Sequence, residues 1–394
     1  MFGNDEINSI KEVLREHINA NFIAGANLMI IKDGKEVFYH ENGLANREKK
    51  IPVKRDSIFR LYSMTKPITA AAAMILLERG QIDLYDPVSK YISTFKEQMV
   101  DSKEGRVKAR REVMLKDLLS MTSGLVYGGG NNRAGKDTEV LFEEIDKRLF
   151  SDNPMSTLEI ASRLGQCTLS FQPGENFEYG TSADVLGAVV EVVTGKRFGE
   201  FLRKEIFEPL GMKDTGFFVP EEKRGRLVRT YAEDGKGDLE LYTGNHLGII
   251  HSMDREPAFQ SGGAGLSSTI DDYGKFANML MNNGELNGIR ILKPHTVKYL
   301  TSGSLSKEQQ KGLDSWESLC GYSYGNLMRV MKDCSRAGDL ATLGEYGWDG
   351  WLGPYFCNCP KERLIFLFMI QKKDAGTTTL TRKLRNIILS SMCK

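Results

Sequence analysis

The sequence predicts a mixed α/β protein of the α+β type, in which an antiparallel sheet is flanked by helices. Strand-like patterns occur near both ends of the chain, and helix-like patterns fill the middle. This order predicts a sheet built from N- and C-terminal segments with a helical insertion between them. We expect one domain over residues 1–394 with two lobes, because 394 residues are more than one small hydrophobic core usually organises. The α/β lobe comprises about 1–80 and 260–394, and the mostly helical lobe comprises about 81–259.

The N-terminal part predicts a helix, a hairpin and a second helix. Apolar residues at helical spacing over 5–22 indicate an amphipathic helix. Residues 26–31 and 35–39 flank a Lys-Asp-Gly turn and predict two antiparallel strands. The alanine-rich segment 67–79 predicts a helix that ends at Gly80.

The rest of the chain shows patterns of both kinds, without an internal repeat or a low-complexity linker. Glycine, proline and dense charge mark the loops, and apolar periodicity marks the regular elements. The remaining predictions are, in chain order, a charged loop or hairpin over 96–112, a flexible loop over 127–136, two helices over 184–205, a helix over 271–283, strands over 351–357 and 364–371, and a final helix over 376–392.

The composition is that of a soluble globular protein. Apolar residues make up 41%, charged residues 27%, and the formal net charge is +1, so no general attraction to nucleic acid or membrane is expected. No run approaches the roughly 18 apolar residues of a membrane span, and no apolar signal segment follows the first residues. Six cysteines do not form a dense disulfide framework. These features predict a reduced, cytoplasmic protein.

Several common functional motifs can be excluded. Gly321-Tyr-Ser323-Tyr-Gly325 matches a nucleophile elbow, but no histidine follows it to act as the base. No phosphate-binding loop, dinucleotide-binding glycine pattern or His-Glu-x-x-His zinc pattern occurs, and we expect no cofactor and no metal ion. The five histidines are isolated and are interpreted as structural or surface residues: His17, His40, His246, His251 and His295.

One of four Ser-x-x-Lys patterns stands out by its context. The four are Ser63/Lys66, Ser93/Lys96, Ser304/Lys307 and Ser391/Lys394. Only Ser63 follows a largely apolar segment, Ile58-Phe-Arg-Leu-Tyr62, and begins a long apolar helix. Pro67 is tolerated only in the first turn of a helix, so the helix begins at about Ser63 or Met64. Ser63 then lies at the positive end of the helix dipole, with Lys66 one turn later on the same face.

This spacing suits nucleophilic catalysis. A serine hydroxyl is a poor nucleophile until a neighbouring base takes its proton. A lysine can act as that base if burial lowers its pKa toward neutrality. The alternative is that Lys66 is an ordinary lysine on a helix surface.

A series of segments resembles a known family. They are Ser57-Ile-Phe-Arg-Leu-Tyr-Ser63-Met-Thr-Lys66-Pro-Ile-Thr-Ala-Ala71, Leu77-Glu-Arg-Gly-Gln-Ile-Asp-Leu-Tyr-Asp-Pro87, Asp117-Leu-Leu-Ser-Met-Thr-Ser-Gly-Leu125, Phe171-Gln-Pro-Gly174, Glu208-Pro-Leu-Gly-Met-Lys-Asp-Thr215 and Gly262-Gly-Ala-Gly-Leu266. In this order they make the chain similar, from about residue 8 to 390, to class C β-lactamases and penicillin-binding proteins. The resemblance implies the serine β-lactamase/DD-peptidase fold.

Two motifs depart from the β-lactamase pattern. The family's Tyr-x-Asn motif corresponds to Tyr179-Gly-Thr181, with threonine in place of asparagine. The family's Lys- or His-x-Gly motif corresponds to Trp348-Asp349-Gly350, which lacks the basic residue that helps to hold an antibiotic carboxylate. Both departures resemble family VIII carboxylesterases, and lovastatin-type acyltransferases are similar too.

The resemblance implies roles for individual residues. Ser63 is the nucleophile, Lys66 and Tyr179 share the general base, and the backbone N–H groups of Ser63 and Trp351 form the oxyanion hole. The residues expected to bind substrate are Trp348, Asp349, Gly350, Thr181 and Tyr127.

Four functions remain open at this point. The first is a carboxylesterase on small or activated esters. The second is amide chemistry by a β-lactamase or a D-amino-acid peptidase, which shares the same residues but favours a basic residue in the Lys- or His-x-Gly motif. The third is an acyltransferase, and the fourth is a non-catalytic relative. The expected partner is a small ester or lactam, with no nucleic acid and no membrane, and the sequence predicts no oligomeric state.

Overall fold

Residues 3–392, which the computed structural model describes, form twelve α-helices and sixteen β-strands. The helices are α1 Asn4–Asn19, α2 Thr65–Glu78, α3 Leu115–Ser120, α4 Arg133–Arg148, α5 Thr157–Leu164, α6 Ser182–Thr194, α7 Phe198–Leu202, α8 Glu208–Leu210, α9 Ile270–Met281, α10 Pro294–Leu300, α11 Lys307–Leu313 and α12 Thr379–Ser390.

The strands are β1 Gly25–Lys32, β2 Lys35–Asn46, β3 Ile51–Pro52, β4 Phe59–Arg60, β5 Met99–Ser102, β6 Gly105–Lys108, β7 Thr230–Glu233, β8 Leu239–Tyr242, β9 Ser267–Ser268, β10 Glu285–Leu286, β11 Ile289–Arg290, β12 Tyr322–Gly325, β13 Met328–Met331, β14 Tyr346–Asp349, β15 Tyr355–Cys359 and β16 Leu364–Met369.

The main sheet joins the two ends of the chain. Its order is β12-β13-β14-β15-β16-β1-β2-β3, and every neighbouring pair is antiparallel. The C-terminal strands meet the N-terminal strands where β16 pairs with β1, with Asn27 opposite Met369. The predicted antiparallel sheet of N- and C-terminal segments, with helices between them, is confirmed.

Strand alternation gives the sheet two buried faces. Successive side chains of a strand point to opposite faces, and in β1 Leu28 packs in one core while Met29 packs in another. The first core is completed by α1 and α12, through residues such as Leu14 and Leu384. The second core extends to α2 and α9 and continues among the helices between them, such as α3, α5 and α6. Helix α2 therefore lies at the centre of the molecule.

Two predictions of local structure are wrong. The predicted loop over 127–136 ends early, because the Asn132 side chain accepts a hydrogen bond from the Gly135 backbone N–H (2.8 Å) and begins α4 at Arg133. The predicted strand over 351–357 begins only at Tyr355, because residues 350–354 form a tight turn in which the Gly350 N–H donates a hydrogen bond to the carbonyl oxygen of Pro354. The charged segment 96–112 forms the hairpin β5–β6.

Two further features concern the described residues taken together. Within residues 3–392, no helix is long and apolar enough to cross a membrane. The five cysteines in this range are free thiols, and Cys393 lies outside the described residues.

Candidate active site

Ser63 lies in a single helical turn, Tyr62–Met64, that leads directly into α2. The preceding residue, Tyr62, has a φ of +44°, a left-handed conformation that is costly for a residue other than glycine. Its ring is held in the core against the ring of Trp351, with centroids 4.9 Å apart. The Ser63 side chain is only partly buried, so the strained turn presents it at the exposed end of a buried helix.

Lys66 is fully buried and contacts the serine. Its Nζ lies 3.1 Å from Ser63 Oγ, 3.1 Å from the Tyr127 hydroxyl and 2.9 Å from the carbonyl oxygen of Gly263. The side chain has 0% exposure, which rules out an ordinary surface lysine. Burial lowers the pKa of Lys66 to about 7, although the carboxylates of Asp184 and Asp349 oppose the shift. A substantial fraction is therefore neutral near pH 7 and can accept a proton.

Two tyrosines flank this lysine in different ways. Lys66 Nζ lies 4.5 Å from the centre of the Tyr179 ring, over its face, whereas the Tyr127 hydroxyl accepts the lysine's hydrogen bond directly. The Tyr179 hydroxyl instead accepts a hydrogen bond from Trp348 Nε1 at 2.9 Å. Burial raises the pKa of Tyr179, while hydrogen bonding with Ser63 and Trp348 lowers it by a smaller amount. Tyr179 is therefore a neutral phenol at ordinary pH.

A buried aspartate supports the lysine through the backbone. Asp184 on α6 accepts hydrogen bonds at its Oδ1 from the Ser261 hydroxyl (2.5 Å) and the Gly263 N–H (3.0 Å). The same Gly263 offers its carbonyl oxygen to Lys66. A Cβ at Gly262 would lie 2.3 Å from the carbonyl oxygen of Ala183 on α6. Glycine therefore lets the backbone at 262–263 pack closely against α6, which carries Asp184. Burial raises the pKa of Asp184, and the Ser261 hydroxyl and the Lys66 charge oppose that shift.

The end of β14 forms the opposite wall of the site. Trp348 is 2% exposed and packs edge-on against Tyr324, with centroids 5.0 Å apart. Asp349 accepts a hydrogen bond from the Thr377 hydroxyl at 2.5 Å. A Cβ at Gly350 would lie 2.1 Å from the Leu61 carbonyl oxygen, so glycine lets β14 approach the serine turn. These contacts place the end of β14 beside the Ser63 turn.

Trp351 follows that glycine and borders the cleft. Its backbone N–H has no acceptor among residues 3–392 and is free to donate to a substrate oxygen, as the predicted oxyanion hole requires. Its indole Nε1 donates to Asp374 at 2.6 Å, and its ring stacks on His246 with centroids 4.0 Å apart. His246 thus lines the cleft and is not the isolated structural or surface residue that the sequence predicts.

Most of the residues predicted from sequence line one cleft of about 760 Å³, a volume that suits a small organic ligand. Thr181 does not: its side chain has 0% exposure, and its hydroxyl has no hydrogen-bond partner among the described residues. The predicted residues that border the cleft are Ser63, Tyr127, Tyr179, Trp348, Asp349, Gly350 and Trp351.

The rejected serines lie elsewhere. Ser323 lies on the buried strand β12 and accepts a hydrogen bond from the backbone of Leu305, so it is not in a nucleophile elbow. Ser93 begins a short helical turn, Ser93–Phe95, and Ser304 precedes α11. The fourth pattern ends at Lys394, which lies outside the described residues.

The comparisons with known proteins decide the family. A family model described as Beta-lactamase matches residues 10–388. The chain belongs to the β-lactamase family. Esterase EstB of Burkholderia gladioli is 31% identical over 348 residues, which cover 84% of this chain and 81% of EstB. A putative D-alanyl-D-alanine carboxypeptidase of Escherichia coli O157:H7 is 25% identical over 395 residues, which cover 94% of this chain and 83% of that protein.

A solved structure agrees in fold. EstCE1, described as a hydrolase with promiscuous acyltransferase activity, superimposes with a TM-score of 0.80 at 24% identity and covers 97% of this chain and 98% of EstCE1. The resemblance to the β-lactamase and penicillin-binding-protein family, and with it the fold, is confirmed. This β-lactamase-family protein is a serine hydrolase.

Two residues of the site were not identified from the sequence. Asp184 interrupts an otherwise apolar helix, Ser-Ala-Asp-Val-Leu-Gly-Ala-Val-Val, and a charge in such a setting signals a buried partner. His246 carries no comparable signal, because only the fold brings it beside Trp351.

Proposed function

We propose that this serine hydrolase is a carboxylesterase that acts through an acyl-enzyme on Ser63. The observation that carries the proposal is the position of Trp348, which borders the cleft and whose indole donates a hydrogen bond to the Tyr179 hydroxyl. An indole occupies the place where the β-lactamase pattern has a basic residue, and Asp349 next to it adds a negative charge. A substrate carboxylate would have no cation to pair with there and would meet a like charge. The name of the 31% identical relative, Esterase EstB, also supports an ester substrate.

The first half of the reaction forms the acyl-enzyme. Neutral Lys66 takes the proton from Ser63 Oγ, 3.1 Å away, as Oγ attacks the ester carbonyl carbon. The backbone N–H groups of Ser63 and Trp351 stabilise the resulting oxyanion; one such donor contributes about 10²–10³ in rate. When the C–O bond of the ester breaks, the leaving alkoxide takes a proton from the Tyr179 hydroxyl, which Lys66 replenishes with the proton it accepted from Ser63.

The second half releases the acid. Lys66, neutral again, takes a proton from a water molecule that attacks the acyl carbonyl, while Tyr179 stays a neutral phenol. The bond between the acyl carbon and Ser63 Oγ then breaks, and Oγ takes that proton back from Lys66, 3.1 Å away. Two such steps give a burst of alcohol when deacylation is the slower step.

A steady-state panel tests the proposal. Purified protein is assayed with p-nitrophenyl esters of increasing chain length and with a chromogenic cephalosporin, beside Ser63→Ala as the control. We expect ester turnover in the wild type, its loss in Ser63→Ala with unchanged folding by circular dichroism, and an acyl adduct on Ser63 by mass spectrometry. More than a tenth of wild-type kcat in Ser63→Ala would contradict the nucleophile. Cephalosporin hydrolysis as efficient as ester hydrolysis would favour amide chemistry, for which the 25% identical putative carboxypeptidase is the relevant relative.

A further inference from the structure

The cleft in front of Ser63 is acidic. Five carboxylates border it and, among residues 3–392, no lysine or arginine does. The five are Glu139, Glu143, Asp146, Asp349 and Asp374. The chain as a whole is nearly neutral, with a net charge of +1, so this concentration of one sign is local to the cleft. Low-dielectric walls lined by one sign of charge concentrate ligands of the opposite sign.

Three of these carboxylates lie on one face of α4. Glu139, Phe142, Glu143 and Asp146 occupy positions i, i+3, i+4 and i+7 of the helix, and all four border the cleft. Residues at this spacing share a face, and like charges there destabilise a helix. A helix whose only task was structural would gain by mixing charges on this face.

The other face of α4 shows that mixed arrangement. Glu144 pairs with Arg148 at 3.5 Å and with Arg163 of α5 at 2.7 Å. On the cleft face, by contrast, Glu139 and Asp146 form no ion pair within the described residues, and Glu143 has only an exposed contact of 3.7 Å with Lys147. The charge on the cleft face is therefore left uncompensated.

The facing wall supplies aromatic rings. Trp316 is 39% exposed and meets Tyr179 edge-on, and Trp351 stacks on His246. Asp374 accepts the hydrogen bond of the Trp351 indole N–H at 2.6 Å and also pairs with Lys373 at 3.0 Å, so the uncompensated charge of the cleft comes mainly from α4. Aromatic faces beside carboxylates attract cations, and quaternary ammonium groups above all, because ring quadrupole and carboxylate act together.

The geometry points to a cation-binding subsite between α4 and the Trp351 wall, which selects esters that carry an ammonium group on the acyl or the alcohol side. This inference rests on the proposed esterase function and specifies its substrate class. The subsite holds the ammonium group while Ser63 attacks the ester carbonyl.

Pairs of esters that are matched in shape and differ in charge test it. With charge on the alcohol, 2-(trimethylammonio)ethyl acetate is compared with 3,3-dimethylbutyl acetate; with charge on the acid, p-nitrophenyl 4-(trimethylammonio)butanoate is compared with p-nitrophenyl 5,5-dimethylhexanoate. We expect at least one pair to favour the cation by about ten-fold in kcat/KM at low salt, and the preference to shrink as salt is raised. Equal kcat/KM within both pairs would overturn the subsite.

A double variant and a control locate the effect. In Glu139→Gln/Asp146→Asn the preference should fall by about three-fold or more, whereas Glu144→Gln, on the outer face of the same helix, should retain it. An unchanged preference in the double variant would contradict the role of α4.

Binding separates this inference from the proposed function. Phenyltrimethylammonium is titrated into wild type and double variant by calorimetry, which needs no turnover. Weaker binding in the double variant supports the subsite even if no ester is hydrolysed, an outcome that would defeat only the esterase proposal. Ester hydrolysis without binding of this cation, or with equal binding to both proteins, overturns the subsite and leaves the esterase standing.

Discussion

Asp184 and Lys66 are joined through a single residue, because Asp184 accepts a hydrogen bond from the N–H of Gly263 while Lys66 donates one to its carbonyl oxygen. The aspartate thereby fixes the position of the lysine, and its charge favours the protonated form of Lys66. Burial works in the other direction and is the larger effect. The balance leaves the lysine able to exchange a proton near neutral pH.

Asp184→Asn should therefore move the pH dependence of the reaction. Removing the negative charge lowers the pKa of Lys66 below its value of about 7, and because the neutral lysine is the active base, the acidic limb of kcat/KM should shift to lower pH. The measurement is a pH profile of ester hydrolysis between pH 5 and 9, with thermal unfolding as the check on folding. A midpoint equal to that of the wild type would show that Asp184 has only a structural role.

The buried lysine should also make stability depend on pH. Burial lowers the pKa of Lys66 from 10.5 to about 7, so the unfolded state binds more protons between these values and stability rises with pH through this window. The loss of stability that comes from burying the lysine is fully present below about pH 7. It disappears as the pH rises above 10.5, the pKa of this lysine in the unfolded chain.

Lys66→Met removes the charge and keeps a similar volume. Relative to this variant, the wild type should gain about 3 kcal/mol in free energy of unfolding between pH 7 and 9.5. Urea unfolding of both proteins at the two pH values measures the difference. A constant difference would mean that the lysine is charged in the folded protein over the whole range. The variant should also be almost inactive on esters.

Replacing Trp348 should alter the choice between esters and β-lactams. Trp348→His and Trp348→Lys place a basic residue in the position of the Lys- or His-x-Gly motif, so hydrolysis of a carboxylate-bearing cephalosporin should rise relative to a short ester by about ten-fold or more. Both variants shrink a side chain that is 2% exposed, and some loss of stability is expected. Trp348→Phe, which loses the N–H but gains no charge, is the matched control. A similar ratio in all three variants would show that charge at this position does not decide the substrate.

The sequence was most informative where the chemistry is local. Ser63 and Lys66 lie one turn apart, and Pro67 alone limits where their helix begins, so their contact follows from helix geometry. Asp184 and Gly263 are 79 residues apart in the chain, and no local pattern brings them together. Tyr127 lies in a glycine-rich segment that gives no orientation to its side chain, so its contact with Lys66 could not be anticipated.

The same limit applies to the acidic cleft. The spacing of Glu139, Phe142, Glu143 and Asp146 is that of one helix face, although no helix was predicted over 133–148. Such a face is normally solvated, and only the packing of α4 against α5 and the hairpin β5–β6 turns it toward Ser63. Thr181 shows the converse: the resemblance of Tyr179-Gly-Thr181 to the Tyr-x-Asn motif predicts a substrate-binding residue, whereas the beginning of α6 buries it.

The last prediction separates the roles of the two tyrosines. Tyr179→Phe removes the proposed proton donor to the leaving alcohol and should lower kcat by about 10²–10⁴ with little change in KM. Tyr127→Phe removes a hydrogen bond to Lys66 without removing the donor, so its kcat should fall less, and its acidic limb should move to lower pH because the protonated lysine loses an acceptor. Thr181→Val serves as the neutral control, since this buried hydroxyl has no partner among the described residues and does not border the cleft.

All three variants are assayed with one activated and one unactivated ester, because an activated leaving group needs little protonation. The Tyr179→Phe defect should be smaller with the activated ester, whereas the Tyr127→Phe defect should be the same with both. A larger loss in Tyr127→Phe than in Tyr179→Phe, with the leaving-group dependence also transferred to it, would make Tyr127 the proton donor in place of Tyr179.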